Sequence, residues 1–141
     1  RPMTEADIEQ VLKVEYAAYS HPWTRGIFFD GLKSYHCWLM FDGSQQVGHG
    51  VVQMILDEAH LLNISVSSAW KGKGWGRHLL NHMMQISREK GGLNMFLEVR
   101  PSNVSAITLY ESIGFNEMGV RPGYYPAHNG RENAVLMGVA L

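Results

Sequence analysis

Lys71-Gly72-Lys73-Gly74-Trp75-Gly76-Arg77 joins an apolar run, His60 to Val66, to a stretch of helical periodicity. A glycine-rich turn that opens a helix gathers backbone N–H groups at a positive dipole end, a ready site for a pyrophosphate. Glycine lets the backbone approach such a ligand because no Cβ intervenes. Lys71, Lys73 and Arg77 add positive charge. Alone, this turn fits a nucleotide, a dinucleotide or coenzyme A equally well, and the order of elements around it decides among them.

Downstream, Leu79, Leu80, Met83, Met84, Ile86 and Ser87 define the packed side of a helix from about Gly74 to Lys90, which Gly91-Gly92 ends. Asn94 to Arg100 is a strand, reached by a crossover that should be right-handed and parallel. Ser102 is placed to cap another helix, in which Ile107, Leu109, Tyr110 and Ile113 recur and Gly114 is the stop. Phe115 to Tyr125 and Asn133 to Ala140 read as a closing hairpin, with Tyr124 and Tyr125 at the loop between its strands.

Upstream, Thr4 and Asp7 form a partial capping box ahead of Ile8, Val11, Leu12, Tyr16 and Tyr19, which follow helical spacing. His21-Pro22 breaks that helix, and Thr24 caps a shorter one carrying Ile27, Phe28 and Leu32. Three strands follow, about Tyr35 to Phe41, Val47 to Leu56 and His60 to Val66. Their short links, Asp42-Gly43 and Asp57-Glu58, imply antiparallel neighbours. The chain is therefore α/β, with a mixed, mostly antiparallel sheet, a parallel central strand pair and about four helices. A Rossmann domain would put the glycine turn after the first strand of a parallel βαβ series; three antiparallel strands come first here.

The 141 residues suit a single domain, 1–141. A net charge of -1 gives no global attraction to nucleic acid or an anionic membrane, so neither is expected as a partner. The one cysteine, Cys37, excludes an intrachain disulfide and favours a reducing, cytoplasmic setting. It sits in a strand-like run as a buried structural thiol. No apolar run approaches the roughly 20 residues of a membrane span, and no signal peptide is visible. The chain starts at Arg1 as if inside an element, so a few residues are expected before it. His78 and His82 stand four apart on a helix, but there is no HExxH pattern and no third ligand, so no metal is expected. Oligomeric state stays open, with a monomer as the default.

The element order and two motifs together resemble the GCN5-related N-acetyltransferases (GNAT). Their acetyl-CoA signature, Q/R-x-x-G-x-G/A, is matched by Lys71-Gly72-Lys73-Gly74-Trp75-Gly76 at both glycines, with Lys in place of Gln or Arg. Asn103 to Ala106 and Leu109-Tyr110-Glu111-Ser112-Ile113-Gly114-Phe115 resemble the more specific N-x-x-A-x-x-L-Y-x-x-x-G-F segment. Within the family, Leu62-Asn63-Ile64-Ser65-Val66, Leu97-Glu98-Val99-Arg100, Arg121-Pro122-Gly123-Tyr124-Tyr125-Pro126 and His21-Pro22-Trp23-Thr24 are most similar to the RimI type. That type acetylates the N-terminal alanine of ribosomal protein S eighteen.

The resemblance implies acetyl-CoA as cosubstrate and a protein N-terminus as acceptor. It implies Glu98 as general base, acting through water, and Tyr110 as the acid that protonates the coenzyme A thiolate. It puts the cofactor against Ile64, Ser65 and Val66 through backbone groups, against the turn Lys71, Gly72, Lys73, Gly74, Trp75, Gly76 and Arg77, and against Asn103. Tyr124 and Tyr125 should wall the acceptor pocket, with Pro22 and Trp23 opposite. The residues read alone leave duller roles open: Glu98 as an exposed strand carboxylate, Tyr110 as a core tyrosine, Asn103 as a cap. A GNAT acting on a lysine side chain or a small amine, and a non-catalytic acyl-CoA-binding domain, are the alternatives. Asp57, Glu58, Glu117 and Glu132 read as solvated surface carboxylates.

Overall fold

A computed structural model describes residues 1–141. A 3-10 turn, Glu5–Asp7, leads into α1 (Ile8–Ala18), followed by α2 (Arg25–Ser34). Three strands, β1 (His36–Asp42), β2 (Gln45–Ile55) and β3 (Glu58–Val66), and a second 3-10 turn, Ser68–Trp70, precede α3 (Trp75–Glu89). Then come β4 (Asn94–Val99), α4 (Val104–Ile113), β5 (Asn116–Ala127) and β6 (Gly130–Ala140). All six strands form one sheet, in the order β1-β2-β3-β4-β6-β5. Only β3 and β4 run parallel. The mixed, mostly antiparallel sheet with one central parallel pair is the architecture expected from the sequence.

The helix ends follow local chemistry. Asp7 accepts hydrogen bonds from the Thr4 N–H at 2.8 Å and the Thr4 hydroxyl at 2.9 Å, and Thr4 and Asp7 form the capping box ahead of α1. The Thr24 hydroxyl accepts from the N–H of Ile27 at 3.3 Å and starts α2. Gly114, at φ 117°, ends α4 in the left-handed conformation that glycine adopts without a Cβ clash. The cap of α4 corrects the sequence reading: it is Asn103, whose side chain accepts from the Ala106 N–H at 3.3 Å. The expected cap, Ser102, instead gives its backbone N–H to Glu132 at 2.9 Å.

Two apolar clusters cover the two faces of the sheet. On one, Ile8, Val11, Leu12 and Phe28 of α1 and α2 pack on Cys37, Leu39 and Val51. On the other, the α3 side Leu79, Leu80, Met83, Met84 and Ile86 packs on Val52, Leu61, Met95 and Leu97, with Tyr110 and Phe115 joining from the α4 region. Truncating one of these large side chains to alanine costs about 2–5 kcal/mol. The stripe of α1 is rotated from its expected position: Tyr16 is 53% exposed and Glu15 is 1% exposed. Burial holds the Cys37 thiol up at about 11. No helix is long and apolar enough to cross a membrane.

The feature that matters most for chemistry lies at the centre of the sheet. β3 and β4 pair from Glu58 opposite Asn94 to Leu61 opposite Leu97, and there the pairing stops. β4 stays paired with β6 as far as Val99, and β3 stays paired with β2 as far as Val66. The ladder between β2 and β3 steps from Val51 opposite Asn63 to Val52 opposite Leu61, so Leu62 is an extra residue in β3. A bulge bends its strand and ends regular pairing on that side. The two parallel strands therefore part just beyond Leu61 and Leu97.

Candidate active site

The parting of β3 from β4 opens two adjoining clefts. The smaller, of about 310 Å³, has Asn63 and Ile64 of β3 on one side and Glu98 and Val99 of β4 on the other. The larger, of about 730 Å³, runs from Ile64, Ser65 and Val66 to the glycine turn and α4. Tyr19, Ile64, Arg100, Asn103 and Tyr110 line both. These five mark the junction.

Glu98 follows from strand parity. Leu97 and Val99 are buried, so the side chain between them turns to the other face, where the missing β3 partner leaves a gap. Its carboxylate lies 3.5 Å from the Arg121 guanidinium and is partly exposed. Tyr110 reaches the junction from the buried side of α4, 5% exposed, with its ring 5.6 Å from that of Phe115. Burial, reinforced by the nearby Tyr19 and Tyr125, holds the Tyr110 hydroxyl well above the ordinary tyrosine range. It therefore keeps its proton at neutral pH. A carboxylate and a protonated phenol on one cleft supply a proton acceptor and a proton donor.

The far side of the smaller cleft carries aromatic groups. Trp23 and Tyr125 line it; Pro22 and Tyr124 stand outside its wall. Tyr124 packs edge-on against Tyr125, with ring centroids 4.9 Å apart, and is 44% exposed. The Arg100 guanidinium lies 4.4 Å over the Tyr125 ring. Burial first, then the Glu98 charge, pushes the Tyr125 hydroxyl up to about 12. Tyr124 and Tyr125 belong to β5, not to a loop as expected: pairing with β6 breaks after Arg121 and resumes at Tyr125 opposite Glu132. Arg131 bridges the break by donating to the carbonyls of Gly123 and Tyr124.

The larger cleft has the form of an anion cradle. Gly72 and Gly74 take φ of 74° and 88°, a region other residues enter only with strain, and nothing stands within 4 Å of where a Cβ would lie. Lys71, Gly72, Gly74, Gly76 and Arg77 line the cleft; Lys73 and Trp75 do not, and Trp75 packs against the core. Arg77 donates to the Ser112 hydroxyl at 2.7 Å, tying the start of α3 to α4. The β4-facing edge of β3 from Asn63 to Val66 has no strand partner, so it offers backbone groups to an extended ligand. An open glycine turn, two basic side chains and a free strand edge fit an elongated molecule with a pyrophosphate.

Two residues at these clefts, Tyr19 and Glu15, and a third beside them, Glu132, carry no motif signal. Tyr19 donates its hydroxyl to the Ile64 carbonyl, and burial pushes that hydroxyl up to about 12. Glu15 is almost fully buried beside Asn63 and Ser65. Glu132, read as a solvated carboxylate, instead receives the Ser102 N–H and an Arg100 bond of 3.3 Å. One signal for Glu15 was present: a carboxylate in line with Ile8, Val11 and Leu12 on the apolar stripe of α1.

Residues 7–115 match the Acetyltransferase (GNAT) family. A [ribosomal protein bS18]-alanine N-acetyltransferase of Haemophilus influenzae is 39% identical over 137 residues, 96% of this chain and 93% of that one. Its counterpart in Escherichia coli strain K12 is 35% identical over 136 residues, 96% and 92% of the two chains. The crystal structure of the Escherichia coli ribosomal-protein-S18-alanine N-acetyltransferase superposes with a TM-score of 0.92 at 34% identity, covering 99% of this chain and 91% of that one.

Proposed function

The chain belongs to the GNAT acetyltransferase family, and from that premise we propose that it moves the acetyl group of acetyl-CoA to the N-terminal α-amine of a protein. The names of its relatives make ribosomal protein bS18, through its N-terminal alanine, the acceptor of choice. The observation that carries this reading is the junction at Tyr110, where a small cleft holding Glu98 meets a larger one shaped for an elongated anion. Residues 1–141 act as one catalytic domain in this reading.

Acetyl-CoA lies in the larger cleft, with its pyrophosphate on the turn from Lys71 to Arg77 and its pantetheine along Ile64, Ser65 and Val66. Asn103 borders the same channel. Its side chain already caps α4, which keeps that helix start fixed beside the ligand. The peptide enters the smaller cleft past Trp23 and Tyr125, where about 310 Å³ suits a small first residue.

An α-ammonium group has a pKa of roughly 7.7–8.0, so about a tenth or more of it is already neutral at pH 7 and a modest base suffices. Glu98 takes the amine proton, through water, as the nitrogen attacks the thioester carbonyl carbon. Negative charge gathers on the carbonyl oxygen, where a backbone N–H of the free β3 edge receives it. The C–S bond then breaks, and Tyr110 gives its proton to the departing thiolate. The raised pKa of Tyr110 supports this role, because the group must arrive protonated.

Mass spectrometry on two peptides with acetyl-CoA tests the reading. One begins with free Ala-Arg and has its lysines blocked; the other has a blocked N-terminus and one free lysine. Acetylation of the first alone is expected. Acetylation of the second alone would make this a lysine acetyltransferase.

A further inference from the structure

Glu15 is a carboxylate near the middle of an apolar helix stripe, 1% exposed, at the floor of the smaller cleft. Burying a carboxylate is costly unless hydrogen bonds replace its water. Four groups do so here. Oε2 accepts from the Trp23 backbone N–H at 2.9 Å and from Asn63 Nδ2 at 3.1 Å. Oε1 accepts from His49 Nε2 at 3.0 Å, Ser65 Oγ at 3.0 Å and Asn63 Nδ2 at 3.2 Å. A carboxylate only accepts, so Nε2 of His49 must carry its proton, and the opposite nitrogen, Nδ1, meets no partner. Every group around Glu15 is a donor, which is a site for an acceptor on both oxygens and nothing else.

The donors come from three separate pieces of chain. His49 is on β2, Asn63 and Ser65 are on β3, and Trp23 is on the segment between α1 and α2. Asn63 and Ser65 lie in the part of β3 that has left β4, so they are paired with β2 alone and have no strand on the other side. Aromatic packing repeats the same link: Trp23 lies 5.2 Å from Phe28, and Phe28 meets His49 edge-on at 5.5 Å. Trp23 and Glu98 line the same cleft, and Glu98 stands on the strand that β3 has left. The carboxylate thus ties one wall of that cleft to its floor.

We propose that Glu15 is a positioning residue for the acceptor: its buried carboxylate fixes the Trp23 segment against the free part of β3 and so sets the mouth through which a peptide N-terminus reaches Glu98. This rests on the reading of the smaller cleft as the acceptor site. Glu15 has no part in the chemistry of transfer and does not line the larger cleft. Its loss should therefore weaken acceptor binding far more than it alters the acetyl-CoA site.

Two readouts on the Glu15→Gln variant test this, with Asn63→Ala, which removes two of the five hydrogen bonds, as a second variant should the first fail to fold. The first is hydrogen exchange of the segment 20–24, which needs no substrate. The Trp23 amide, held by Glu15, should exchange about tenfold faster or more, the worth of a hydrogen bond to a charged group, while α3 exchanges as before. The second is steady-state kinetics on the Ala-Arg peptide. The peptide KM should rise about tenfold or more, while the acetyl-CoA KM and kcat at saturating peptide stay within about twofold. Unchanged exchange at Trp23 in the folded variants overturns the role of Glu15 whatever the acceptor is. So does a uniform rise in exchange, or a fall in kcat with both KM values constant, since each is what simple loss of folded enzyme produces. A wild-type enzyme that acetylates no peptide N-terminus overturns instead the acceptor reading on which the proposal rests.

Discussion

The Arg121 guanidinium lies 3.5 Å from Oε1 of Glu98 and 5.6 Å from the centroid of the Tyr124 ring. The carboxylate proposed as base therefore already has a cationic neighbour before any amine arrives. An incoming α-ammonium must share or displace it. Both partners are partly exposed, at 56% and 27%, so the pair is worth at most about 1 kcal/mol. Replacing Arg121 by Gln should lower the peptide KM by up to about fivefold, with the effect fading at high salt. Initial rates at two ionic strengths check this; a KM that rises would mean that Arg121 holds the peptide.

Glu98→Gln and Tyr110→Phe should each lower kcat by roughly 10²–10⁴ while thermal unfolding stays close to wild type. Neither removes core volume: Glu98 is at the cleft surface, and Phe keeps the Tyr110 ring against Phe115. Because burial raises the Tyr110 pKa, the pH–rate profile should show no alkaline fall up to about pH 10, the ordinary tyrosine value. A fall centred below that, absent in Tyr110→Phe, would contradict the assignment.

Gly74 sits at φ 88° ahead of α3. An alanine there is forced toward a left-handed conformation that costs about 1–2 kcal/mol, or the turn reshapes. Gly74→Ala should raise the acetyl-CoA KM and leave the peptide KM alone, the reverse of the pattern expected for Glu15→Gln. Titration with desulfo-coenzyme A by calorimetry measures this directly.

Glu15 also predicts an acid sensitivity. Burial alone would raise its pKa, but the hydrogen bonds from His49, the Trp23 N–H and Asn63 outweigh it, and the folded value lies below the ordinary one. A carboxylate with a lowered folded pKa contributes stability that is fully present above the unfolded value, about 4.3. That contribution disappears as pH falls through the lower, folded value. Urea midpoints measured downward from pH 6 should therefore drop more steeply for wild type than for Glu15→Gln; parallel curves would contradict this.

The sheet and helices were legible because each rests on local signals: periodicity in α3, glycine stops, short antiparallel links. The place of Glu98 beside the parting strands was legible too, since the parallel crossover depends on nearby residues, whereas its role as base came from the resemblance. Glu15 was not legible, because three of its four partners lie 34 to 50 residues away, and its place on the apolar stripe of α1 was the one local mark of burial. The error over Tyr124 and Tyr125 has a similar source. The hairpin strand reads as ending at Tyr125, two residues short, because Pro122, Gly123 and Pro126 weaken the local strand signal and the ladder to β6 carries the strand past them. Ser102 and Asn103 are both competent caps, and the choice was made by Glu132, thirty residues on.

Tyr19, Ile64, Arg100, Asn103 and Tyr110 belong to both clefts at once. In the proposed reading the donor and the acceptor are thus neighbours in a single ternary complex rather than successive visitors to one spot. Such a site has no use for a half-reaction. Cys37, 6% exposed and with its thiol held near 11, offers no acyl carrier in between. Labelled coenzyme A should not exchange into acetyl-CoA until an amine is present, and each turnover is one handover between molecules held side by side.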